Sequence, residues 1–199
     1  MGQLHPNFIV GIGGSAGALN AYKELLDALP STTGMAFVIV SHIHPLANNQ
    51  LAHILSGHTK MPVMVAAAAK PIRANYVYVI PPNADFLIES YTFKVAAPRT
   101  GRNTQVDCFL ISLAEAMGAR AIGIILSGYD GDGTEGCKHI KANGGTTFAQ
   151  DMSAEVDGMP LSAQASGCVD FVLPPDKIPG ELQRLVSTSI NKGSDAVHG

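Results

Sequence analysis

The chain has few cysteines, no long apolar run and no excess of basic residues, and each of these features argues against a class of protein. Its three cysteines, Cys108, Cys137 and Cys168, form no CxxC pair, so neither a zinc knuckle nor a disulfide framework is indicated. The longest apolar runs, such as Ala121 to Leu126, fall far short of the ~20 residues that span a bilayer. A net charge of −3 provides no basic face for nucleic acid. We therefore expect a soluble, cytoplasmic protein with no membrane insertion and no nucleic acid partner.

The chain is instead rich in short apolar segments that alternate with amphipathic ones. Hydrophobic residues make up 46% and charged residues 15% of the 199 positions, as in a compact globular enzyme. β-Branched runs such as Phe8 to Ile12, Ala36 to Val40 and Ala121 to Leu126 read as buried strands, and helical spacing follows the first and third. This order predicts a three-layer α/β fold, with a mainly parallel sheet, helices on both faces and a short antiparallel addition.

The domain organisation predicted from the sequence is simple. No repeat or linker divides the chain, which is short enough for a single core. We predict one catalytic domain over residues 1–190 and a polar, disordered tail over residues 191–199.

A glycine-rich turn with a central serine follows the first strand. Gly13-Gly14-Ser15-Ala16-Gly17 fits G-x-S-x-G, which presents a serine hydroxyl beside helix N-terminal amides at the carboxyl edge of a sheet. A dinucleotide fingerprint starting at Gly11 would need glycine where Ala16 stands. A serine that only caps the following helix remains an alternative.

The next strands end in residues that could serve such a serine. His42 directly follows the second strand, and Asp132 lies in the turn after Leu126, with Asp130 two residues earlier. Because the carboxyl ends of parallel strands meet at one edge, we predict Ser15 as nucleophile, His42 as base and Asp132 as orienting acid. Asp132 could instead cap the helix that follows it.

A metal site is a second interpretation of the same residues. His42, His44, Asp130 and Asp132 form a plausible nitrogen and oxygen ligand set for a divalent ion in a metallohydrolase. The serine mechanism, which we favour, needs no cofactor.

Long stretches of the chain resemble the catalytic domain of the chemotaxis protein-glutamate methylesterases, the CheB family, and most of all the form fused to a receptor methyltransferase. The similarity runs from about residue 8 to 185. The matching segments are IVGIGGSAGAL, AFVIVSHIHP, HTKMPVMVA, NYVYVIPPNADFLI, AIGIILSGYDGDGTEG and DGMPLSAQASGCVDFVLPPDKIP.

This resemblance implies an α/β hydrolase of glutamyl methyl esters on the cytoplasmic helices of chemoreceptors, often with glutamine deamidation as well. It places the nucleophile at Ser15, the base at His42 and the acid at Asp132, and it implies an oxyanion hole from the backbone amides of Ala16 and Tyr129. The methylated receptor helices are the expected partner, together with a receiver or methyltransferase domain in the full-length protein.

The chain departs from the family pattern at several positions. Ala18 replaces a frequent glycine, Ser41 replaces the usual glutamine beside the base, and Asp130 stands where the family generally has glycine. The arginines Arg99 and Arg102 are out of the usual register before the central helix. These departures leave open a catalytically inactive module that only binds receptor helices.

Overall fold

The computed structural model describes residues 5–41, 48–82, 84–96 and 104–195. They form a seven-stranded sheet and a separate two-stranded hairpin. The strands are β1 (Phe8–Gly14), β2 (Met35–Ser41), β3 (Val63–Val65), β4 (Tyr76–Val79), β5 (Asp85–Glu89), β6 (Thr92–Ala96), β7 (Ala121–Ile125), β8 (Thr146–Gln150) and β9 (Phe171–Leu173).

The large sheet is parallel throughout, in the order β3-β4-β2-β1-β7-β8-β9. Strand β1 is central and pairs with β2 on one side and β7 on the other. The carboxyl ends of these three strands therefore meet at one edge, as the sequence predicts.

Six helices cover the two faces of the sheet in the described part of the chain. They are α1 (Ala18–Ala28), α2 (Asn48–Ser56), α3 (Gln105–Met117), α4 (Thr134–Ala142), α5 (Gly158–Ala165) and α6 (Ile178–Asp195). Apolar side chains of α1, α2 and α6 form one buried cluster with the sheet, and those of α3, α4 and α5 form the other. This three-layer arrangement confirms the predicted fold class.

Helix α3 packs unusually close to β1 because two glycines face it. A Cβ at Gly11 would lie 2.5 Å from Leu110 Cδ2, and one at Gly13 would clash with Val106 Cγ1. The first turn of α3 is thereby held beside the last residues of β1, where the serine turn begins.

Two details differ from the sequence-based expectations. The predicted antiparallel addition is present as strands β5 and β6, but in the described residues they form a sheet of their own, with one isolated bridge from Thr92 to Pro71. Phe86, Ile88 and Phe93 join the apolar cluster of α3 instead of extending the large sheet. Helix α6 continues to Asp195, past the predicted start of the tail at residue 191, while residues 196–199 lie outside the described residues. None of the helices in the described part of the chain has the length and apolarity needed to cross a bilayer.

Candidate active site

Ser15 lies in the turn that joins β1 to α1. Gly17, which directly precedes α1, has a left-handed backbone with φ of 73°, and no side chain caps this helix. A Cβ at Gly17 would also lie 2.7 Å from Ser127 Oγ, so both backbone conformation and space require glycine there. Ser15 is therefore not the cap of α1, which removes the capping alternative for this serine.

The end of β7 holds the serine turn from the other side. Leu126 N donates to Gly13 O at 2.8 Å, and Ser15 N donates to Ser127 O, also at 2.8 Å. A Cβ at Gly128 would lie 3.1 Å from Ser15 Cβ, so the chain passes directly against the serine side chain. The loop after β7 thus forms one wall around Ser15.

Asp132, further along that loop, is buried, with 4% of its surface exposed. Its Oδ1 accepts a hydrogen bond from Asp107 N at 2.8 Å, and its Oδ2 accepts one from Val106 N at 3.0 Å. These amides belong to the first turn of α3, so Asp132 caps α3. The predicted alternative, a cap on the following helix α4, is wrong, because Gly133 takes that position without a side-chain bond.

Val106 connects the surroundings of Ser15 and Asp132. Its side chain meets the Cβ positions of both Gly13 and Gly133, which lie two residues before Ser15 and one after Asp132. The structure therefore brings the predicted nucleophile and the predicted acid to the same edge of the sheet, around the start of α3.

Two backbone amides near Ser15 are available to a ligand. Among the described residues, neither the amide of Ala16 nor that of Tyr129 donates to a carbonyl or a side chain. The amide of Gly128, by contrast, already donates to Val156 O at 2.9 Å. The oxyanion hole formed by these two amides stays a prediction, with which their lack of a protein acceptor is compatible.

Two buried polar residues that connect the loops around Ser15 were not predicted from the sequence. Ser127 is fully buried, and its Oγ lies 2.8 Å from Ala16 O and accepts a hydrogen bond from Val156 N at 2.9 Å. Gln150, the last residue of β8, accepts from Ser127 N through Oε1 at 3.0 Å. The signal in the sequence was a polar residue at or just after the end of an apolar strand. A polar group that becomes buried there needs a hydrogen-bond partner.

Asp107 is a third residue that the sequence did not reveal. Its Oδ1 accepts a hydrogen bond from Gly136 N of α4 at 2.8 Å. Burial raises the pKa of this carboxyl group to about 6, with repulsion from Asp132 adding to the effect and the amide bond from Gly136 opposing it. Asp132 therefore stabilises the start of α3 and Asp107 the start of α4, while their charges repel.

His42 and His44 lie outside the described residues, so the structure gives no geometry for the predicted base. Asp130, the remaining member of the alternative metal set, accepts a hydrogen bond from Asp132 N at 3.1 Å. No cluster of three potential metal ligands occurs among the described residues. Ser41, which precedes His42, is buried at the end of β2, in register with Gly14.

Comparison with known proteins places this chain in a family. The CheB methylesterase family model matches residues 10–182. A protein of Leptospira interrogans named as a putative protein-glutamate methylesterase/protein-glutamine glutaminase is 34% identical, over 91% of this chain and 96% of its own length.

A longer relative and a solved structure agree with this match. The protein-glutamate methylesterase/protein-glutamine glutaminase of Hydrogenovibrio crunogenus is 32% identical over 89% of this chain, which spans 49% of that protein. The crystal structure of the CheB methylesterase catalytic domain of Thermotoga maritima superposes with a TM-score of 0.83 at 29% identity, covering 89% of this chain and 98% of that one. The chain belongs to the CheB methylesterase family.

Proposed function

We propose that this chain hydrolyses glutamyl methyl esters on the cytoplasmic helices of chemoreceptors by a Ser15, His42 and Asp132 mechanism, and that it also deamidates glutamine there. The observation that carries the proposal is the placement of Ser15 and the Asp132 carboxylate around the start of α3, with the unpartnered amides of Ala16 and Tyr129 nearby. Its family membership supports the choice of substrate.

In the first step, Ser15 Oγ attacks the ester carbonyl carbon while His42 takes the hydroxyl proton. The amides of Ala16 and Tyr129 stabilise the oxyanion of the tetrahedral intermediate. The intermediate collapses as the carbon–oxygen bond to the methoxy group breaks, and His42 returns the proton to release methanol. With a glutamine substrate, the same step releases ammonia.

In the second step, a water molecule gives a proton to His42 and attacks the acyl-enzyme. The bond from the acyl carbon to Ser15 Oγ then breaks, and His42 returns the proton to Oγ as the receptor glutamate leaves. Asp132 supports both steps by orienting His42 and stabilising its charged form. Both oxygens of Asp132 accept hydrogen bonds from α3 amides, which fixes the position of the carboxylate.

Methanol release from methylated receptor helices tests the proposal. Ser15→Ala should lower turnover by at least ~10³-fold with the fold intact, since the nucleophile is lost. Ser31→Ala, at an exposed serine before β2, is the matched control and should leave turnover unchanged. Wild-type methanol release by Ser15→Ala would refute the mechanism.

The same assay separates the alternatives. His42→Ala should reduce turnover far more than His44→Ala, and the reverse ranking would move the base to His44. EDTA should have no effect on a serine mechanism, whereas it would inactivate a metallohydrolase. Binding of methylated helices without any methanol release would identify an inactive binding module.

In longer relatives, the remaining sequence leaves room for a domain that controls the site. We propose a receiver or methyltransferase domain as the partner in the full-length protein, since this chain spans only 49% of the Hydrogenovibrio relative.

A further inference from the structure

A groove of about 520 Å³ opens beside the serine turn, between the end of β8, the loop over residues 151–157, α5 and β9. The loop over residues 151–157 connects the groove to the site, because Val156 O accepts a hydrogen bond from Gly128 N and Glu155 lies beside Gly17. Gln150, which lines the groove, accepts from Ser127 N, and Ser127 O accepts from Ser15 N. The groove and the serine turn are therefore joined through the loop after β7 and the loop over residues 151–157.

The groove presents apolar side chains to solvent. Met152 is 99% exposed, and Leu161 and Val172 are 50% and 45% exposed. Tyr129, on the neighbouring wall of the site, is 76% exposed. Single exposed apolar residues are ordinary, but several around one concave surface mark a binding site, because a partner that covers them gains hydrophobic free energy.

The same surface is negatively charged. Asp151 and Asp157 line the groove, and the side chain of Glu155 packs beside Gly17 at the serine turn. The sequence has no lysine or arginine from residue 142 to 176, and no ion pair joins these three acids to a cation in the described part of the chain. On α4, by contrast, Glu135 is paired with Lys138. The rim therefore favours a partner that carries positive charge.

We propose that this groove is the docking surface for the substrate helix, and that it selects a helix with an apolar residue and a lysine or arginine within one or two turns of the esterified glutamate. An α-helix rises about 5.4 Å per turn, so an ester held at Ser15 leaves adjacent turns over the neighbouring groove. The apolar residue covers Met152 and Leu161, while the cation faces Asp157. This inference rests on the proposed function.

Charge reversal in the groove tests the inference with two synthetic peptides. Both carry one γ-glutamyl methyl ester in an amphipathic helical sequence, and they differ only in having lysine or glutamate one turn away. Wild-type protein should hydrolyse the lysine peptide with a kcat/KM roughly tenfold higher, through a lower KM. Asp157→Lys should reverse this preference, because the attraction then favours the glutamate peptide.

Asp157 is suited to this test because its side chain makes no capping bond to α5, so the substitution spares the helix. Leu161→Ser should raise KM for both peptides without changing their ranking. Glu24→Lys, at an exposed acid on the opposite face of the sheet, applies the same charge change and should leave both KM values unchanged.

Hydrolysis of p-nitrophenyl acetate separates failure of the inference from failure of the proposed function. This small ester tests Ser15 without a substrate helix, so Glu24→Lys should hydrolyse it at the wild-type rate. The peptide activity of each groove variant is then compared with its own activity on the small ester. Equal use of both peptides by a wild-type protein that is active on the small ester would overturn the groove proposal alone. Loss of the peptide preference in Glu24→Lys as well would also overturn it, since the effect would then be one of net charge.

Discussion

Two carboxylates at the start of α3 and α4, the buried Asp132 and the half-buried Asp107, carry much of the local organisation of the site. Asp132 accepts from the first amides of α3, and Asp107, which belongs to α3, accepts from Gly136 N of α4. Each acid stabilises a helix N-terminus, where backbone amides lack partners within the helix. The reciprocal bonds fix the turn between Gly131 and Thr134, and hence the position of Asp132.

The raised pKa of Asp107, about 6, makes a prediction about stability and pH. The folded state holds this proton more tightly than the unfolded state, whose pKa is about 4. The contribution of Asp107 to the free energy of unfolding is therefore fully present below about pH 4 and is lost as pH rises to about 6. Asp107→Asn keeps an oxygen acceptor for Gly136 N. It removes the contribution of this carboxyl group to the slope of the free energy of unfolding against pH.

Urea denaturation between pH 4 and pH 8 measures the effect of Asp107→Asn. The variant should gain stability relative to the wild type as the pH rises through this window. Glu115→Gln, at an exposed acid on the same helix, should keep the wild-type slope. An unchanged slope in Asp107→Asn would show that Asp107 ionises as freely in the folded protein as in the unfolded chain.

At the scale of elements, the close approach of α3 to β1 decides where the acid can act. Gly11 and Gly13 leave space for the side chains of Leu110 and Val106. The first turn of α3 therefore lies against the carboxyl end of β1. Only with α3 in this position do its amides meet the carboxylate of Asp132. The cap and the candidate site thus depend on the same packing contact.

This dual role predicts that Asp132 affects stability and activity separately. Asp132→Ala removes both acceptors for α3 and should lower the free energy of unfolding by about 1–2 kcal/mol. Asp132→Asn keeps one acceptor and should be less destabilised. Both should lose turnover, by about 10⁴-fold for the asparagine variant, since neither stabilises a protonated His42.

Urea denaturation and methanol release on the same preparations test this separation. A turnover that follows stability across the two variants would leave Asp132 with a capping role alone. Wild-type turnover in Asp132→Asn would lead to the same conclusion.

At the scale of the whole molecule, one sheet contributes side chains to two hydrophobic cores. The cluster around Phe37 lies on the face of α1, α2 and α6, and the cluster around Phe109 lies on the face of α3, α4 and α5. The same strands contribute alternate side chains to both clusters, as Ile9 and Val10 do in β1. Loss of packing on one face must therefore disturb the strands that form the other.

We predict that the protein unfolds in a single cooperative transition. A substitution in the core on either face of the sheet should destabilise the whole molecule. Phe37→Leu and Phe109→Leu should each lower the free energy of unfolding by about 1–3 kcal/mol, because both side chains are fully buried. Met152→Ala, at a 99% exposed residue, is the control. Circular dichroism and calorimetry should give coincident transitions for all variants, and two separate transitions would contradict a shared sheet.

Most of the elements could be predicted because their signals are local. The helical segment predicted after the third buried strand is present as α4, and the strand predicted over Ala121 to Leu126 ends one residue earlier. Long-range partners could not be predicted in this way. The cap between Asp132 and α3 joins residues 26 positions apart, and no local pattern distinguishes it from a cap on the adjacent α4.

The sequence by itself determined the parallel α/β fold, the strand ends that carry Ser15 and Asp132, and the family, because apolar periodicity and glycine-rich turns are properties of short segments. The tertiary structure alone decided which amides remain free near Ser15, which helix Asp132 caps, and that an acidic, apolar groove adjoins the serine turn. These features depend on contacts between segments that are distant in the chain, and such contacts are set by the packing of the whole molecule.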